Sequence, residues 1–234
     1  MYSLKKITAL IFLLLSSTGL LAQTEWSTSL SAGYVVNFPL PLSISQLGYP
    51  DIKQLGRFRS EPFNFPLYWD FKITRIKNKK LCELEFIHHK LYLNNLSDEI
   101  QRFSISHGFN LLLINSGYAF GKFFIKPGIG IVLGHPENTI RNLPLNEKAG
   151  LFNDGYYISG SAVNLAINSR IKLTGLIFLE TEAKVTYGYA IVPVANGKAK
   201  VHNLAFHLTL GLGFRQNFRN KAKEESLHEF KHKK

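Results

Sequence analysis

From Trp26 to Asn217 bulky apolar residues alternate with small or polar ones, a period of two that marks strands whose faces meet different surroundings. The pattern predicts strands over 26–38, 62–75, 80–93, 101–119, 122–134, 156–171, 176–191 and 200–217. Their connections alternate in length. "PLPLSISQLGYPDIKQLGRFRSE", "NNLSDEI", "HPENTIRNLPLNEKAGLFNDG" and "VPVANGK" form the longer set, and "IKNK", "FGK" and "KLTG" the tight turns. An even number of antiparallel strands with long loops at one end and tight turns at the other describes an all-β, eight-stranded antiparallel up-and-down barrel.

Side-chain size decides which face points inward. One face is small, with Ser27, Ser29, Ser31 and Gly33, then Gly128 and Gly130, Gly160 and Ala162, and Gly211 and Gly213. The opposite face is bulky: Trp69 and Phe71, Ile125, Ile129, Ile131 and Leu133, and Leu204 through Phe214 at every second position. The predicted second strand adds Phe63, Phe65 and Leu67 to it. Eight strands enclose a space that side chains fill, so the crowded small face belongs inside and the bulky face against lipid. Aromatics at Trp26, Tyr34, Phe38, Tyr187, Tyr189 and Phe218 fall near strand ends, as interfacial girdles do. The barrel is therefore read as transmembrane.

The amino terminus agrees. Lys5-Lys6, the apolar run Ile7 to Ala22 and the polar start "QTEW" read as a secretory signal peptide over 1–22, followed by a barrel over 23–218 and a basic periplasmic tail over 219–234. The destination is the bacterial outer membrane. Cys82 is the single cysteine, so the exported chain holds together without a disulfide. The formal charge of +12 lies partly in the tail, and no nucleic-acid partner is expected behind a signal peptide. The partner class is an outer-membrane lipid or lipopolysaccharide, whose acidic headgroups suit the excess lysine. Nothing in the pattern bears on oligomeric state.

Asp70, Lys72, Glu83, Glu85, Lys126, Glu180, Glu182, Lys184 and Arg215 all have the parity of the small, inward face. Enclosed charges must be paired, so an ion-pair plug and no ion channel are expected. With "GIGIVLG" and "LTLGLGF" as barrel strands, the chain resembles the small outer-membrane β-barrel families of diderm bacteria. Some such barrels are anchors or adhesins, and others act on lipid A. The resemblance to lipid A deacylase-type barrels implies a strand serine and histidine with a supporting carboxylate. Here "SISHGFN" carries Ser104, Ser106 and His107, in the order Ser before His rather than His-x-Ser.

The adjacent histidines of "ELEFIHHKLYL" must point to opposite faces of their strand. Topology gathers His88, His89, His107, His135 and His202 at the extracellular end, with His207 in the lumen and His228 and His232 in the tail. A turn around Asn95–Ser97 sets His88 opposite His107 and His89 opposite Ser106, and a turn at Gly121 sets His107 opposite His135. His88, His107 and His135 then form an outward row, with His89 and Ser106 an inward pair and Ser104 one step deeper. Three readings follow. In the first, these histidines with Ser106 and Glu137 cut or transfer an acyl ester of an outer-leaflet lipid. In the second, the histidines are interfacial groups of a non-catalytic surface barrel, an anchor, adhesin or lipopolysaccharide binder. In the third, the row and Glu137 hold a divalent cation, but the ligands come from separate strands without a local motif. Neither a metal nor another cofactor is expected on this pattern.

Overall fold

The computed structural model describes residues 24–146, 150–151 and 153–217. The segments read as signal peptide and basic tail lie outside the described residues, as does Phe218. The strands are β1 (Thr24–Phe38), β2 (Leu40–Gln46), β3 (Ile52–Gly56), β4 (Phe58–Arg59), β5 (Trp69–Lys77), β6 (Lys80–His88), β7 (Leu91–Leu93) and β8 (Ile100–Ile105). They continue as β9 (Phe109–Phe120), β10 (Phe123–Gly134), β11 (Glu137–Ile140), β12 (Leu143–Pro144), β13 (Tyr157–Lys172), β14 (Ile177–Val194) and β15 (Gly197–Asn217).

Eight of these close a barrel in the order β1-β5-β6-β9-β10-β13-β14-β15, and β15 pairs back on β1 from Glu25↔Asn217 to Phe38↔Leu204. All the pairings are antiparallel. The expected eight-stranded, antiparallel barrel is the observed one. Its inner surface needs small residues because neighbouring walls press close. A Cβ on Gly130 would stand 1.9 Å from the Leu112 carbonyl oxygen.

The exterior is apolar. Leu30, Ile114, Ile129, Leu165, Leu210 and Leu212 are each more than half exposed, which water would not tolerate around a whole barrel. The lumen is filled with buried charged side chains. Lys72 Nζ meets Glu180 at 2.9 Å, Asp70 at 3.1 Å and Glu182 at 3.3 Å. Lys184 Nζ meets Asp70 and Glu182 at 2.7 Å each and also Glu85, while Lys126 joins Glu83 at 2.7 Å and also Glu182. The pattern assigned Arg215 to this network, but Arg215 sits at the tight-turn end, 3.6 Å from Glu25 and only partly buried. Arg170 takes that place, 2.7 Å from Glu180.

The loop end departs most from expectation. The predicted second strand begins at Trp69 rather than residue 62, and Glu61–Leu67 form turns with a cis Phe65–Pro66 bond. Pro62 and Pro66 lack the amide a ladder requires. Phe63 and Phe65 are still exposed, but outside the sheet. The predicted strand 80–93 breaks at His89-Lys90, and 101–119 breaks at Ser106–Gly108, where Gly108 has φ +137°. "VPVANGK" is no long loop: Ala195 and Asn196 alone connect β14 to β15.

Two of the other long connections, 39–61 and 135–155, contain strands. β2 and β3 extend the barrel wall from β15. β12, β11, β8, β7 and β4 build a separate five-stranded sheet at the loop end. Phe58, Leu91, Leu93, Ile100, Phe103, Ile105 and Ile140 of this sheet are buried in one core with Phe109, Val132, Val192 and Val201 of the barrel. An apolar cap thus sits over the charged plug.

Candidate functional site

The cap brings part of the expected set together. His135 closes β10, where its amide donates to the Gly108 carbonyl at 3.0 Å. Two residues on, Glu137 opens β11 opposite Ser104 of β8. The break after β8 turns Ser106 and His107 toward this carboxylate. Glu137 Oε1 accepts from Ser106 Oγ and from His107 Nδ1 at 2.5 Å each, and His135 Nδ1 lies 3.8 Å away. The His107 and His135 rings stand 4.8 Å apart, although the register is one residue off the expected one and sets His135 opposite Gly108. Arg102 pairs with the other oxygen of Glu137. Ser104 Oγ bonds the Glu137 main-chain oxygen, at 3.1 Å.

The register expected for the other two histidines is not the observed one. β6 pairs with β9 so that Ile87 meets Leu111, which puts His88 beside Asn110 rather than opposite His107. Its Nδ1 lies 2.8 Å from Asn110 Oδ1 and its ring stacks on Trp69 at 5.7 Å. His88 has outward parity but is 7% exposed, because the loops fold over it. His89 does point into the barrel, yet its partner is Ser60, 3.3 Å from Nδ1, with Phe109 and His207 as ring neighbours. The expected inward pair of His89 and Ser106 is therefore split, His89 bonding Ser60 and Ser106 bonding Glu137. His202 stays outside, bonded to the Tyr187 hydroxyl at 2.8 Å.

Several site residues had no signal in the alternation. Tyr156 packs on His135 at 4.9 Å between ring centroids and donates to the His107 carbonyl at 3.0 Å. Burial, with the Asp154 charge nearby, pushes its phenol pKa upward, so it remains a neutral donor. Asn110 lies three residues beyond His107 in "SHGFN", and only the break at Gly108 puts it on the outer face. Ser60 likewise comes from a folded connection, and Arg102 from β8 of the cap.

Between these loops a groove of about 540 Å³ opens on the barrel exterior. Trp69, Phe86 and Leu133 wall it, and His88, Asn110 and Tyr156 supply its polar groups. Its mouth is continuous with the apolar belt through Trp69 and Phe86, both on the lipid-facing side. Through Tyr156 it borders the His107–Glu137–His135 cluster.

A closed eight-stranded barrel with a bulky apolar exterior and a charge-filled lumen defines an integral bacterial outer-membrane barrel. No family model matches the chain, and no curated protein does. Among solved structures, Neisserial surface protein A aligns with TM-score 0.36 and 9% identity over 82% of this chain and 96% of that one. Ail, the attachment invasion locus protein of Yersinia pestis, aligns with TM-score 0.37 and 12% identity over 83% and 100%. The outer membrane protein AlkL aligns with TM-score 0.46 and 11% identity over 87% and 95%. The assignment rests on this chain's own register and surface, not on these likenesses.

Proposed function

We propose that this barrel hydrolyses an acyl ester of an outer-leaflet lipid at the loop-end rim. The observation that carries the reading is the groove: it is open to the apolar belt, sized for part of an acyl chain, and bordered by a carboxylate-held imidazole. Glu137 fixes the ring of His107 through Nδ1 and leaves Nε2 as the base. The His107 side chain is 59% exposed, so water reaches it. Water oxygen attacks the ester carbonyl while His107 Nε2 takes its proton, and the tetrahedral intermediate then expels the alkoxide, which recovers that proton from His107.

Ser106 has a different role from the one its position suggested. Its hydroxyl is bonded to Glu137 and not to an imidazole, so it positions the carboxylate. That same bond favours the second reading, a non-catalytic surface barrel that binds lipopolysaccharide. The test is purified, refolded protein in mixed micelles with lipid A or phospholipid, read by mass spectrometry. Loss of one acyl chain, abolished by His107→Ala and Glu137→Gln, is the expected result. Unchanged lipids of both classes would leave the binding barrel.

A further inference from the structure

His107, His135 and Glu137 are more than a histidine held by a carboxylate. We infer that they form a binding site for a divalent transition-metal cation, Zn²⁺ by the chemistry of the donors. One ligand atom from each of the three residues lies within 4.8 Å of the other two. Glu137 Oε1 stands 2.5 Å from His107 Nδ1 and 3.8 Å from His135 Nδ1. Ligand atoms at the usual ~2.0–2.1 Å from zinc in a tetrahedron stand about 3.3–3.4 Å from one another. These two edges straddle that value and the third is no longer than 4.8 Å, so side-chain shifts on the order of 1 Å bring all three atoms onto one ion.

The backbone holds two ligands in advance. His135 is tied through its amide to Gly108, and Glu137 is paired with Ser104 across β11 and β8. Outer partners are in place too: Arg102 and Ser106 both bond the carboxylate, as groups behind a metal ligand do. His107 is the exposed member and closes the set. Two imidazoles and one carboxylate favour zinc, cobalt, nickel or copper over magnesium or calcium. A fourth position remains for water on the exposed side, the arrangement of hydrolytic rather than structural zinc. The other cluster of carboxylates, Asp70, Glu85 and Glu182, is no rival, because Lys72 and Lys184 already occupy it.

This inference rests on the lipid reading and changes one role in it: with Nδ1 on the ion, His107 would serve as a ligand and the ion itself would activate the attacking water in the same place, while binding is measured without any lipid. The full chain, refolded in detergent and stripped with chelator, is titrated with Co²⁺ while the visible d–d bands are recorded, and then with Zn²⁺. One equivalent of Co²⁺ with tetrahedral bands, displaced by Zn²⁺, is expected. His135→Ala and Glu137→Gln should each weaken binding at least tenfold, while His202→Ala leaves it unchanged. Each variant is first shown to be folded by heat-modifiable migration. These variants also separate the site from His228 and His232 of the tail. Absence of bands in the parent protein, or bands that persist in both His135→Ala and Glu137→Gln, overturns the site. Lipid hydrolysis that survives complete metal removal would overturn the ion's part in hydrolysis and keep the hydrolase, with the titration alone deciding the site. Cation binding without hydrolysis would keep the site and overturn the hydrolase.

Discussion

Glu137 Oε1 and Ser106 Oγ are 2.5 Å apart, and the serine donates to the carboxylate instead of to a histidine. A serine nucleophile needs a base that removes its proton, and a carboxylate already shared with His107 and Arg102 is a poor one. Ser106→Ala is therefore expected to keep lipid hydrolysis within about tenfold of the parent, whereas His107→Ala loses at least about a hundredfold, in line with removal of a general base. Initial rates on the same micellar substrate decide it. Equal, complete loss in both variants would restore Ser106 as the nucleophile.

Lys184 is the central cation of the plug, with Asp70 and Glu182 at 2.7 Å and Glu85 also bound. Removing one partner of a buried pair leaves charge uncompensated and typically costs about 3–5 kcal/mol. Lys184→Met should lower the urea midpoint of unfolding accordingly, and adding Glu85→Gln should recover part of the loss. An unchanged midpoint in Lys184→Met would mean that the plug does not hold the barrel. The filled lumen and its cap also predict no steady conductance in planar bilayers.

The barrel was legible because alternation and side-chain size are local properties. Leu208, Leu210 and Leu212 against His207, Thr209 and Gly211 state both the period and the inward face. The loop end was not, for two physical reasons. Short runs such as Phe58–Arg59 and Glu137–Ile140 carry too few residues for a period to stand out, yet they build part of the cap. Register at the rim also depends on irregularities. The breaks at His89-Lys90 and Ser106–Gly108 and the extra residue Ser159 of β13 opposite Val132 and Leu133 reset parity, and a reset of one residue changes every facing pair. The register across the Gly121 turn is one residue off the expected one, so His135 faces Gly108, and the break at Ser106–Gly108 is what swings the His107 ring to His135. His88 and His89 lost their expected partners to the same irregularities.

Orientation has its own readout. Cys82 is exposed near the tight turn Asn78-Lys79, on the lipid-facing side. If the tight turns face the periplasm, a membrane-impermeant maleimide added to intact cells leaves Cys82 unlabelled. Lys198→Cys, at the exposed β14–β15 hairpin of the loop end, should label rapidly in a Cys82→Ser background. The opposite pattern would invert the barrel and remove the rim site from the outer leaflet.

The groove makes a claim separate from the chemistry. Leu133 keeps the outward parity of Ile129 and Ile131 and reaches the groove wall, beside the point where β13 carries the extra residue Ser159. Leu133→Trp should fill the space where an acyl chain is proposed to lie, while Glu137, His107 and His135 keep their contacts. The expected outcome is a fall of at least about tenfold in kcat/KM on the lipid, equivalent to about 1.4 kcal/mol of transition-state binding. A short-chain, water-soluble ester should be cut at the parental rate, because it does not need the groove. If Leu133→Trp slows both substrates equally, the damage is to the catalytic cluster. If it slows neither, the acyl chain lies elsewhere on the rim.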